Sequence, residues 1–168
     1  MSLPKEDILN KSATDPRFSV LPVVKHRFFD AFNACVGKVQ YRLGSKPCIG
    51  SSPGYDFRKS DCSGFVRWIM SDACLGVNMP LGSFLQGKWC YESEFKEVKY
   101  AEVAKLKDNR LRIAFIKQEG VKYGHVWLVL NGLAYQCCSG KGVSSTLWNS
   151  DYLLKNVDFC YVLTDPLR

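Results

Sequence analysis

The hexapeptide Asp61-Cys62-Ser63-Gly64-Phe65-Val66 places a thiol at the start of an apolar run, just after the stretch Gly50-Ser51-Ser52-Pro53-Gly54. Phe65, Val66, Trp68, Ile69 and Met70 suit a buried helix, so Cys62 falls at its N-terminus. Unpaired backbone N–H groups and the positive end of the helix dipole meet there, and both favour thiolate over thiol. The pattern is that of a sulfur nucleophile in need of a base. Asp61, just before it, is suited to cap the helix, with orientation of neighbouring groups as its other reading.

The base comes from a hairpin. Gly124-His125-Val126-Trp127-Leu128-Val129-Leu130 and Leu133-Ala134-Tyr135-Gln136-Cys137-Cys138 flank Asn131-Gly132, a pair that favours a two-residue type I′ turn. Pairing Leu130 with Leu133 sets Trp127 opposite Gln136 and His125 opposite Cys138. His125 and Gln136 are then diagonal neighbours on one face, about 7–8 Å apart at the backbone and less between side chains. The Gln136 amide can hold one imidazole nitrogen and leave the other for a thiol. Cys62, His125 and Gln136 form a nucleophile, base and orienter. Cys138 faces His125 too, but a strand cysteine lacks the helix-terminus field. His26, between Lys25 and Arg27, reads as a solvated surface histidine. Trp127 shares the face of His125 and either lines a cleft or belongs to the core.

The surrounding elements must bring these groups together. Phe28, Phe29, Phe32, Cys35 and Val36 recur at helical spacing over 23–36, with Gly37 as the stop. The Gly/Pro/Ser-rich loop 44–59 leads to the cysteine helix, which ends before Gly76. Residues 76–110 carry no assignment. Strands are expected over 111–116, 126–130, 133–137 and 159–163. Helices followed by an antiparallel sheet make an α+β fold. Residues 1–19, with a turn at Asp15-Pro16, read as a lead-in, and 20–168 as a single catalytic domain.

Composition narrows the function. The chain has 168 residues, 46% of them hydrophobic, and a formal charge of +7. That charge favours anionic partners. The 23 Lys and Arg are nonetheless scattered among 16 Asp and Glu, with no nucleic-acid motif, so no nucleic-acid partner is expected. No apolar stretch reaches the ~18 residues of a membrane helix, so no stable membrane insertion is expected. The N-terminus does not read as a secretory signal. The eight cysteines contain no C-x-x-C pair, and only two histidines accompany them. Neither a metal nor any other cofactor is expected, and most cysteines read as small buried residues.

Asp61-Cys62-Ser63-Gly64-Phe65-Val66, followed by Gly124-His125-Val126 and a strand to Asn131-Gly132, resembles the NlpC-type cell-wall peptidases of the papain-like superfamily. The stretch 37–44 is similar to that family's Gly-x-Pro-Tyr-x-x-Gly signature, keeping Tyr41 and Gly44. The resemblance implies an α+β, papain-like fold with the nucleophile helix packed on a central antiparallel sheet. It implies Cys62 as nucleophile, His125 as base and Gln136 in the third position, often His in the family. Asp61, Ser63, Trp127 and Tyr41 are candidate substrate contacts, although core packing is an equal reading of Tyr41. The substrates implied are amides in peptidoglycan stem peptides, typically D-glutamate–diamino acid linkages, with action in the periplasm or cell wall. A thiol acyltransferase or deamidase on the same scaffold is the alternative, as is an antibacterial amidase delivered into rival cells. Such a toxin would call for an inhibitory immunity protein as partner. Three departures stand out: the proline before Tyr41 is missing, Asn109-Arg110-Leu111 replaces a Gly-Asp-Leu, and the Asn-Gly turn is one residue shorter than usual. The shorter turn keeps Gln136 on the face of His125.

Overall fold

In the computed structural model, residues 17–117 and 124–168 are described. The turn expected at Asp15-Pro16 and most of the lead-in lie outside them. Ser19, at the end of that segment, already donates its backbone N–H to Glu94 O at 3.1 Å, and Leu21 donates to Leu163 O at 2.7 Å.

Helix α1 spans Lys25–Cys35 and buries Phe28, Ala31, Phe32 and Cys35, the 3–4 residue spacing read in the sequence. Gly37, at φ 76°, carries the chain out of it. Two short strands, β1 (Gln40–Tyr41) and β2 (Lys59–Ser60), pair in parallel and close the loop 44–59 into a compact lobe. Helix α2 spans Cys62–Ala73, so Cys62 is its first residue. The segment without an assignment contributes α3 (Ser83–Glu92), β3 (Lys96–Glu97) and the single turn α4 (Tyr100–Val103). Then follow β4 (Arg112–Ile116), β5 (His125–Leu130), β6 (Leu133–Cys138), β7 (Gly142–Leu147), α5 (Asp151–Asn156) and β8 (Phe159–Val162). The expected strands appear with ends moved by one residue at most; β1, β2, β7 and α5 are additions.

The main sheet has the order β3-β8-β4-β5-β6-β7, with every neighbouring pair antiparallel. Strand alternation divides its two faces. Val126, Leu128, Leu130, Tyr135 and Cys137 join α1 and α2 in the larger core, where Tyr135 meets Phe28, Phe29 and Phe32 edge-on. Trp127, Val129 and Ala134 face the other way, toward Tyr100 and Leu153. The fold is therefore α+β, with the cysteine helix against the central antiparallel sheet.

Candidate active site

The start of α2 is heavily tied down. Asp61 is the N-cap: its Oδ1 accepts from the Gly64 N–H at 2.7 Å and from the Ser63 hydroxyl at 3.2 Å. Its Oδ2 accepts from the Gly44 N–H at 3.2 Å and from the Lys46 ammonium. Gly64 is required there, because a Cβ would fall 2.8 Å from Ser45 O and 2.9 Å from Asp61 Oδ1. From the other side, Gln86 of α3 donates to Ser63 O at 3.0 Å. Motif residues around the thiol thus position it.

The hairpin supplies the imidazole in the expected register. Leu130 pairs with Leu133 across Asn131 and Gly132, both at positive φ (51° and 81°), as a type I′ turn requires. Nε2 of His125 lies 2.7 Å from Oε1 of Gln136. A carbonyl oxygen can only accept, so Nε2 carries the proton and Nδ1 keeps its lone pair for a thiol proton. Behind the ring lies Trp127, stacked at 5.5 Å and 23°, whose indole N–H donates to the Tyr100 hydroxyl at 3.2 Å.

The β5–β6 ladder runs only from Leu130↔Leu133 to Leu128↔Tyr135. Continued, it would pair Val126 with Cys137. Instead the Val126 N–H is directed at the sulfur of Cys62, and Cys137 turns its own thiol to Ser60 O at 3.3 Å. The paired ladder stops short of His125, and the start of α2 lies against this stretch, with the Val126 N–H close enough to lower the Cys62 thiol.

Burial decides the resting protonation. Cys62 is 8% exposed, and desolvation raises its thiol above the ordinary 9.0. The Val126 and Ser63 N–H groups and the Lys46 ammonium pull the other way, while the charge of Asp61 adds to the rise. Burial also lowers His125 below 6.5, against the Gln136 hydrogen bond. Loss of water around the sulfur therefore opposes the thiolate that the helix terminus alone would favour. Burial thus works against both the thiolate and the imidazolium.

Of the four candidate substrate contacts, only Tyr41 lines the cleft beside the imidazole. Asp61 (4% exposed), Ser63 (3%) and Trp127 (0%) are buried and bonded within the protein, so they support the site from behind. The cleft, about 510 Å³, runs past Tyr41, His125, Gln136 and Cys138 to Lys141, Thr146 and Tyr152. Burial, then the neighbouring Cys62 and Asp61, raises the Tyr41 phenol, which keeps it a donor at neutral pH. His26 is solvent-exposed on α1. Lys46 and the far cleft wall escaped the sequence reading, since neither carries a local signal. Among the described residues no cluster of His, Cys, Asp and Glu could hold a metal ion, and no helix is long and apolar enough to cross a membrane.

The domain is α+β, with Cys62 at a helix start, His125 on the adjoining strand and Gln136 on the next. Solved structures with this fold include NlpC/P60 family proteins. One is similar to lipoprotein, from Staphylococcus aureus subsp. aureus Mu50 (22% identity, TM-score 0.53, covering 83% of this chain and 41% of that one). Another is from Bacillus cereus ATCC 10987 (18%, 0.56, covering 88% and 42%). The peptidoglycan hydrolase RipB from Mycobacterium tuberculosis also superposes (20%, 0.54, covering 97% and 69%). The chain spans about two fifths of the first two proteins. No protein-family model and no curated protein matches the sequence. The chain has the NlpC/P60 fold.

Proposed function

We propose that the protein is a cysteine peptidase or amidase that hydrolyses amide bonds in peptidoglycan stem peptides, of the D-glutamate–diamino acid type. The observation that carries this is the 2.7 Å bond from His125 to Gln136 beside a helix-start cysteine met by the Val126 N–H. The likeness of the fold to a peptidoglycan hydrolase supports the substrate class.

In this reading the thiol of Cys62 gives its proton to Nδ1 of His125 as the sulfur attacks the amide carbonyl. Gln136 Oε1 accepts from Nε2–H throughout and stabilises the imidazolium that forms. The backbone N–H of Cys62, which has no helical acceptor at the start of α2, faces the developing oxyanion. The Tyr41 phenol is a second donor to the substrate. Collapse of the tetrahedral species breaks the C–N bond, and His125 protonates the leaving amine. Water, deprotonated by His125, then cleaves the thioester and restores the thiol. The net positive charge speeds encounter with carboxylate-bearing muropeptides.

Purified sacculi digested with the wild-type chain should yield stem-peptide fragments by mass spectrometry, with a new amine at the cleaved bond. Cys62→Ala should yield none while its thermal unfolding stays close to wild type. Equal fragment release by Cys62→Ala would overturn the assignment.

A further inference from the structure

Lys46 lies fifteen residues upstream of the N-cap, in a loop stapled to the helix start. The Asp61 N–H donates to Ser45 O at 2.9 Å, and the Ser45 N–H to Arg42 O at 3.1 Å. This directs the lysine stem along the N-terminus of α2. Its ammonium contacts Asp61 Oδ2 and donates to the Ser63 hydroxyl at 2.6 Å. These are the residues immediately before and after Cys62, so one cation straddles the nucleophile. The Asp61 side chain is 5% exposed and that of Lys46 28%, so water screens the pair weakly.

The arrangement answers an electrostatic difficulty. Asp61 caps the helix best as a carboxylate, yet a buried negative charge next to Cys62 opposes a second one on sulfur. The ammonium cancels that charge from close range, and it lowers the thiol where Asp61 raises it. A motif carboxylate can then hold the helix start without blocking thiolate formation.

We propose that Lys46 is a positioning residue of the nucleophile: bound to Asp61 and Ser63 on either side of Cys62, it fixes the helix start and neutralises the cap carboxylate so that sulfur can ionise. It touches neither substrate nor sulfur in this role. The inference rests on the assignment of Cys62 as nucleophile, and its test reads the thiol directly, without peptidoglycan.

The rate of Cys62 alkylation by iodoacetamide, followed by mass spectrometry of its peptide across pH, is measured for the wild type, Lys46→Met, Lys46→Arg and Asp61→Asn/Lys46→Met. Lys46→Met should react about tenfold more slowly at pH 7, its profile displaced to higher pH by the unshielded carboxylate. Lys46→Arg, which keeps the charge, should track the wild type. The double variant, with both charges gone, should recover most of the rate. A Lys46→Met profile superposed on the wild type overturns the proposal. So does a double variant as slow as Lys46→Met, since loosening alone would give that result. If Lys46→Met fails to fold, the arginine and double variants decide: recovery of the rate in both supports the proposal, and a slow profile in either overturns it. Loss of the hydrolase reading would appear separately, as intact sacculi with a wild-type thiol profile.

Discussion

Replacing Gln136 with leucine removes the polar group bonded to the imidazole while roughly keeping side-chain volume. The glutamine holds Nε2 at 2.7 Å, on a ring set against buried Trp127. Leaving a buried donor without its acceptor costs about 1–3 kcal/mol. In this position the cost falls on the aligned tautomer, and each ~1.4 kcal/mol is a factor of ten in rate. The value of kcat/KM on a muropeptide should therefore drop about 10- to 100-fold, mostly in kcat, because the glutamine acts through His125. Gln136→His should keep most of the activity, since imidazole can also accept from Nε2–H. Gln136→Glu adds a sign test. Burial holds His125 below 6.5, and activity needs it neutral, so the acid limb of kcat/KM lies below that pH in the wild type. A carboxylate favours imidazolium, so the limb should move to higher pH. Full activity in Gln136→Leu, or an acid limb unmoved in Gln136→Glu, would refute the reasoning.

Other expectations follow from individual contacts. Gly64→Ala places a Cβ 2.8 Å from Ser45 O and 2.9 Å from the cap carboxylate, so chemical denaturation should show a loss of about 2 kcal/mol, with slower Cys62 alkylation. Trp127→Leu leaves a void behind the imidazole and should lower stability by about 3 kcal/mol, with falling kcat. Trp127→Phe keeps an aromatic ring behind the imidazole but loses the bond to Tyr100 and part of the buried indole, so its destabilisation should be smaller, about 2 kcal/mol. Burial raises the Asp108 carboxyl, but its bond and charge contact with buried Arg112 outweigh this and hold it below 3.8. That contribution is complete above pH 3.8 and vanishes as pH falls through the lower folded value. Asp108→Ala should cost about 3 kcal/mol at pH 7, because it strands a buried guanidinium, and should flatten the acid side of the stability profile.

The placement of Cys62, His125 and Gln136 is legible in the sequence because it depends on local rules. A helix start is marked by an N-cap and an apolar run, and Asp61 and Phe65–Met70 supply both. Strand period is two, so once Asn131-Gly132 fixes the turn, the parity of His125 and Gln136 follows without any other contact. By the same logic α1 and four strands can be placed. Residues 142–147 read poorly because Gly142-Val143-Ser144-Ser145-Thr146-Leu147 is mostly polar, and its strand exists through pairing with β6.

The rest belongs to the tertiary structure, because it arises between segments far apart in the chain. That the β5–β6 ladder stops at Leu128, beside the start of α2, is announced by no residue of the hairpin. The helix terminus alone points the Cys62 shift in the wrong direction, since desolvation depends on everything packed around the sulfur. Trp127 has two readings until the opposite sheet face is filled by Tyr100 and Leu153. Lys46 is one loop cation among many until folding lays it across the start of α2. Periodicity and capping are properties of neighbouring residues and are written along the chain; burial and charge pairing are properties of the packed whole.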